Sequence, residues 1–232
     1  MKQKLLAAAL LASVAMVSCR KNNSMDASTG GANTNGNLNY TITVTNPNGS
    51  TQKTTANNFI WTSGFAYPRY VKFEAKTENS KFEYTSTNDA RVDLMAATAT
   101  NFGGFTIPNG DYKEIEVKIK LDKKGGEPAL QLDGQFDNGV VNVPVTLIID
   151  ENIELKSEVK DVTITSDMDF TAATQLDLSA LMDGITTQML MSVTLTDGRL
   201  IISDDTNKAI YWVIVKNLRD KRHHCDWWKR KK

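Results

Sequence analysis

Within YKEIEVKIKL (112–121), the eight residues from Glu114 to Leu121 alternate charge and hydrocarbon without a break. Ile115, Val117, Ile119 and Leu121 share one face, and Glu114, Glu116, Lys118 and Lys120 share the other. Successive side chains of a strand point to opposite faces, so this pattern predicts a strand with one face on a core and one in water. The charges also discourage edge-to-edge pairing. The same period runs through LNYTITVT (38–45), with Leu38, Tyr40, Ile42 and Val44 on one face. It recurs in RYVKFEAK (69–76), where Val71, Phe73 and Ala75 oppose Lys72, Glu74 and Lys76.

Other runs read as strands are 59–66, 81–86, 91–96, 129–136, 140–150, 152–158, 161–165, 198–203 and 209–216. Turn chemistry such as NPNGS, IPNGDY, KKGGEP, DNG and TDGR separates many of them. Pro144 inside a strong run implies an edge or a bulge. In AIYWVIVKNL, apolar residues occupy both alternating faces, which suits a strand buried between layers. One segment departs from period two. DLSALMDGITTQML (177–190) places Leu178, Leu181, Met182, Ile185 and Met189 on one helical face, with Asp177 as N-cap. Many short strands with short turns, one short helix and no fixed-period repeat predict an all-β fold, an antiparallel β-sandwich over 38–218.

The N-terminus reads differently. MKQKLLAAALLASVAMVSC has a basic start at Lys2 and Lys4, an uncharged apolar run from Leu5 to Val17, then Ser18 and Cys19. That is the layout of a secretory signal peptide, too short for a membrane span. MVSC resembles the lipobox of bacterial lipoproteins, with Met16 where Leu is usual. The resemblance implies cleavage of residues 1–18 and lipid attachment at Cys19; the other reading is an ordinary signal peptide with a chance cysteine. Two or more acyl chains hold a protein stably on a bilayer. Residues 19–37 are mostly Asn, Ser, Thr and Gly after the Cys, and are expected to be a flexible tether.

Of 27 basic and 27 acidic residues, two Lys lie in the leader. The last fourteen residues hold seven Lys or Arg and two Asp, so the rest carries 18 basic and 25 acidic groups, a net of −7. An acidic body argues against a nucleic-acid partner. With Cys19 lipidated, Cys225 has no partner for an internal disulfide. From Arg219 the sequence turns to charge and the pair Trp227–Trp228, so 219–232 is expected to be a basic tail outside the domain.

The stretch RVDLM…FTIPNGDYKEIEVKIKL (91–121) resembles the central motif of an uncharacterised family of Bacteroidota lipoproteins, DLL followed by (I/L)PAGxYxxIRLxI. Asp93, Leu94, Met95, Ile107, Pro108, Gly110, Tyr112 and Ile115 match; Asn109 and Glu116 depart from it. The resemblance implies a β-sandwich and an envelope location, and carries no activity. Surface export in that group goes with an acidic cluster after the Cys. Arg20 and Lys21 stand there instead, which implies an outer-membrane anchor facing the periplasm.

Chemistry is sparse. Both histidines, His223 and His224, lie in the tail, so the body has no His-based triad and no His-rich metal site. HHC (223–225) sets adjacent residues that rarely share one ion. SDDTN (203–207) and DMD (167–169) lack Ca²⁺-loop spacing and read as turns. TNFGGF (100–105) lacks the Lys and following helix of a phosphate loop. Trp61 and Trp212 are expected in the core, while Trp227 and Trp228 suit either a membrane interface or a free end. The sequence therefore predicts a lipid-anchored, non-catalytic binding or structural module without cofactor or metal. Its partners would be the membrane and an unidentified envelope protein or glycan. The competing class is a periplasmic hydrolase using paired carboxylates, such as a glycosidase.

Overall fold

The structure, a computed structural model, describes residues 38–45, 59–88, 90–96, 100–166, 168–220 and 225–231. The leader 1–18, the tether 19–37, Cys19, His223 and His224 lie outside the described residues. Fourteen strands are defined: β1 (Leu38–Thr45), β2 (Phe59–Ala66), β3 (Pro68–Lys76), β4 (Lys81–Thr87), β5 (Val92–Asp93), β6 (Thr100–Phe105), β7 (Gly110–Leu121), β8 (Leu130–Asp137), β9 (Asn142–Ile149), β10 (Ile153–Ile164), β11 (Met168–Asp177), β12 (Leu195–Thr196), β13 (Arg199–Ile202) and β14 (Cys225–Lys231). Between β11 and β12 lie a 3-10 turn (Ala180–Met182) and α1 (Thr187–Met191), and α2 (Lys208–Asp220) precedes β14.

The fold is mostly β and sandwich-like. One sheet runs β14-β11-β1-β6, a second β10-β7-β3-β4 and a third β12-β13-β9-β8-β2-β5. The described pairings are antiparallel except β1 with β11 and β13 with β9. The first two sheets face each other. Between them the Tyr40 hydroxyl donates to Thr174 Oγ1 at 2.7 Å, and Ser157 Oγ on the opposing sheet lies 3.1 Å from the same oxygen. All three groups are buried, and this chain satisfies polar atoms that would otherwise cost about 1–3 kcal/mol each.

The third sheet continues the second end to end. Only Tyr67 separates β2 from β3, and only 150–152 separate β9 from β10. Leu130 pairs with Ala66 and Ile149 on one side of this seam, and Leu121 with Pro68 and Ile153 on the other. One apolar core spans the sheets and α2. β7 keeps its predicted facing: Ile115, Val117, Ile119 and Leu121 are all buried.

Three expectations are corrected. The run 209–216 is helix, not strand. Ile210, Tyr211, Ile214, Val215 and Leu218 make one buried stripe of α2, against the 3-10 turn, β10 and β13. The Tyr211 hydroxyl donates to Glu151 Oε1 at 2.9 Å, and Arg219 pairs with the same carboxylate. Trp212 therefore points outward, 52% exposed, whereas Trp61 is in the core as expected. Residues 177–190 are not one helix. Asp177 ends β11, and its carboxylate accepts from the Ser179 and Ala180 amides, capping the 3-10 turn. Gly184, at φ 82, separates that turn from α1. The segment expected as a tail does not lie outside the fold: Arg219 and Asp220 end α2, and β14 pairs with β11 from Thr174↔Cys225 to Met168↔Lys231. Pro144 meets the expectation of an edge locally: β13 joins β9 only from Leu200↔Val145, so at Pro144 the strand is paired on the β8 side alone.

Candidate functional site

The sandwich of the first two sheets has two long sides. One is closed, with β10 against β14 and the Ser157–Thr174 contact inside it. The other is bounded by two edge strands, β4 and β6. β4 reads KFEYTST, so Phe82, Tyr84 and Ser86 point inward while Lys81, Glu83 and Thr85 point out. β6 ends at Phe105, and Thr106, Ile107 and Pro108 lead into β7.

These segments enclose an aromatic cleft with Phe73 of β3 as its floor. Tyr84 stacks on Phe105 with centroids 4.5 Å apart at 15°, and Phe73 meets the Phe105 ring at 4.6 Å and 65°. Phe82 meets the ring of Tyr112 at 6.1 Å. Tyr112 is itself fixed, since its buried hydroxyl donates to the Pro108 carbonyl at 2.7 Å. The motif residues 107–112 thus shape one wall of the cleft. The enclosed space is about 30 Å³, on the order of two water-sized probes. That volume suits an inserted side chain better than a whole buried ligand.

Outside the cleft, the strand register sorts charge into rows across β4, β3, β7 and β10. Glu83, Glu74, Glu116 and Glu158 stand side by side. Lys72, Lys118 and Lys156 form the next row. Four like charges abreast are unfavourable unless neighbours of opposite sign neutralise them. Lys72 and Lys81 reach Glu74 at 2.7 and 2.9 Å, while Lys118 reaches Glu116 at 2.5 Å and Lys156 also contacts it. The lysine stems cover the carboxylates, leaving Glu74 only 6% and Glu116 only 3% exposed. The expectation that Glu116 faces water is therefore wrong: it lies on the outward face beneath its lysines.

Burial pushes the Glu74 carboxyl up, but hydrogen bonds from Lys72 and Lys81 and the charge of Lys118 outweigh it and hold the group at about 2. Glu116 is lowered too, burial again being overcome by Lys118 and Lys156. A carboxyl whose folded pKa lies below its unfolded one stabilises the fold fully above the unfolded value near 4.5 and loses that contribution as pH falls through about 2. Urea midpoints are therefore expected to fall between pH 4.5 and 2, by on the order of 1–3 kcal/mol for this group. Glu74→Gln should flatten the fall. An unchanged slope in that variant would remove Glu74 as its source.

Glu83 borders the cleft from the outward face of β4, and its hydrogen bond with Lys81 lowers its pKa against the effect of burial. It stays ionised and is a poor proton donor at neutral pH. Among the described residues no group of three or more His, Cys, Asp or Glu is placed to hold a metal ion. The residues singled out in the sequence do not converge here. Trp61 is core, Trp212 lies on α2, and Asp204 and Asp205 are exposed before α2. The Asp205 amide donates to Ser203 Oγ, a turn role. TNFGGF is strand β6, and Cys225 lies in β14. The cleft residues Phe73, Phe82, Tyr84 and Phe105 were not anticipated as a site. Their signal was the aromatic alternation of KFEYTS, which alone reads as ordinary strand. Comparison with family models, with curated proteins and with solved structures found no match.

Proposed function

We propose that this chain is a lipid-anchored, non-catalytic binding or structural module of the bacterial cell envelope, of the Bacteroidota lipoprotein family it resembles, and that the cleft between β4 and β6 is its binding surface. The open aromatic side of the sandwich carries the binding part of this reading. Apolar clefts with few polar groups are the usual form of a binding site. The buried carboxylates speak against the hydrolase alternative. A glycosidase acid needs a raised pKa beside an ionised partner, and Glu74 and Glu116 are both lowered by lysines. The sequence MVSC supports the anchor at Cys19, and Arg20 and Lys21 in place of an acidic cluster support an outer-membrane location facing the periplasm.

Two measurements test this. Cys19→Ala is expected to leave the membrane fraction or accumulate uncleaved. A variant that is processed and still membrane-bound sinks the anchor. Residues 20–232, which keep every described element, should be screened against glycans and extended peptides with hydrolysis monitored. Capture without turnover, lost in Tyr84→Ala, is expected, with an effect on the order of tenfold or more for an aromatic hot spot. Turnover of any substrate would establish the hydrolase reading instead.

A further inference from the structure

The cleft between β4 and β6 lies beside the start of β1. We infer that the segment before β1 folds back onto this cleft and seats the Met25 side chain against Phe73, Tyr84 and Phe105, so that an outside ligand must displace it. The inference rests on the reading of the cleft as a binding surface and adds how that surface is regulated.

Register sets the place. β1 and β6 are antiparallel, with Leu38 opposite Phe105. The chain before Leu38 and the chain after Phe105 therefore leave the sheet at the same end. Thr106, Ile107 and Pro108, which follow Phe105, line the cleft with it. Thirteen residues separate Met25 from Leu38. A Gly- and Asn-rich linker of that length spans about 20 Å root-mean-square, while Leu38 and Phe105 are one strand spacing apart, about 5 Å. Met25 reaches the cleft without the segment being drawn taut.

Chemistry sets the occupant. The enclosed space of about 30 Å³ has room for the end of one side chain, and its walls are mostly aromatic. Phe82 and Tyr84 are only half-buried, so an apolar group seated there completes their cover. The stretches 46–58, 97–99 and 221–224, outside the described residues, hold no Leu, Ile, Val, Met, Phe, Tyr or Trp. Residues 20–37 hold one, Met25. A methionine side chain is unbranched, turns about three bonds and packs favourably on aromatic rings. It suits a narrow space beside the Tyr84–Phe105 stack and over Phe73.

Seating Met25 changes both reach and access. With Met25 in place, six residues join Cys19 to the cleft, at most about 20 Å of chain. Displacing it lengthens the link between Cys19 and β1 to nineteen residues. A lipid anchor at Cys19 thus holds the empty cleft close to the bilayer, and ligand capture lets the body move away from it. The segment also competes with any ligand at an effective concentration on the order of millimolar, and lowers apparent affinity by the fraction of cleft it leaves free.

Magnetic resonance of residues 20–232, labelled at the methionine methyl carbons, tests the seating. Met25→Ser identifies the Met25 signal. In the unaltered chain that signal is expected away from the position of a solvated methionine, displaced by ring currents, with cross-relaxation to ring protons of Tyr84 and Phe105. Tyr84→Ala should return it to the solvated position, while the signal of buried Met182 stays in place and reports an intact fold. Met25→Ser should capture a glycan or extended peptide about two- to tenfold more tightly than the unaltered chain. A Met25 methyl at the solvated position, one without cross-relaxation to those rings, or equal capture with and without Met25 overturns the inference. If Met25 is solvated while Tyr84→Ala still abolishes capture, the inference fails and the binding reading survives. If Met25 is seated and Met25→Ser captures neither glycan nor peptide, the cleft is a seat for the chain's own segment and the binding reading fails.

Discussion

Gly134→Ala is expected to unfold the third sheet. Gly134 lies in β8 opposite Trp61, where β2 carries an irregularity between Trp61 and Ser63. That irregularity brings the β2 backbone against Gly134. A Cβ there would fall well inside 3.0 Å of the Ile60 carbonyl oxygen and its carbon, and would meet Trp61 Cα at 3.0 Å. These are backbone atoms of β2, so rotamer changes cannot relieve the overlap. Overpacking of a dense interior costs about 1–3 kcal/mol where side chains can yield. Here the cost should exceed that range, roughly 3–5 kcal/mol, against a typical domain stability of 5–15 kcal/mol. Gly139, in the hairpin before β9, is the control. It has φ +86 but open space around its Cβ position, so Gly139→Ala should lose only about 1 kcal/mol of backbone preference. Equal shifts in urea midpoint for the two would mean that β2 yields more than its register implies.

Val117→Asp is expected to be as damaging for a different reason. Val117 is 2% exposed at the middle of β7, with Phe73 of β3 and Ser157 of β10 beside it. Among the described residues, an aspartate there has no basic partner on the inward face of β3, β7 or β10. Burying an unpaired charge costs several kcal/mol, comparable to the whole stability. Lys118→Glu, one residue on, is not the silent surface change that its outward direction suggests. Lys118 is hydrogen-bonded to Glu116 and close to Glu74. Replacing it sets another carboxylate beside the buried pair Glu74 and Glu116, and about 1–3 kcal/mol of stability should go with it. Thermal melts of the two variants check the order: Val117→Asp unfolded at room temperature, Lys118→Glu folded but with a lower midpoint. A Lys118→Glu midpoint equal to the parent would show that Lys72, Lys81 and Lys156 suffice to hold both glutamates.

The strand was legible because from Glu114 to Leu121 its two faces differ at every step, and the burial of Ile115, Val117 and Ile119 matches that reading. The run 209–216 misled because nearly every position is apolar. Its helical stripe (Ile210, Tyr211, Ile214, Val215, Leu218) is present in the sequence, but alternation fits the same letters. The outward Trp212 is what breaks the tie, and its exposure is a tertiary fact. The burial of Glu74 and Glu116 was illegible for a sharper reason. Each stands in an alternating strand as a solvent-facing residue should, and only the cross-strand register sets them side by side under four lysines. The cleft needs three strands and one loop to exist, so no single stretch announces it. β11 was missed because MDFTAATQLD mixes small and polar residues without a clean alternation, and it is recruited by β1 rather than by its own pattern.

The parallel pairing of β1 with β11 has a consequence for the order of assembly. Tyr40 and Thr174 are 134 positions apart in the chain yet share a hydrogen bond, and Leu38–Ile42 of β1 lie between β6 and β11. The hairpin of β3 and β4 closes within a few residues, and β7 joins it soon after. β1 has no described partner until β6 emerges, and its parallel partner comes only with β11. Closing so long a loop is entropically slow, and folding rates fall as contacts become less local. The first of the described strands, and the one nearest Cys19, is thus among the last to be locked. Refolding should show a fast phase from the second sheet and a slower one that reports on β1. Until that slow step, the inner face of the second sheet stands uncovered, and that interval is when the chain is most open to aggregation.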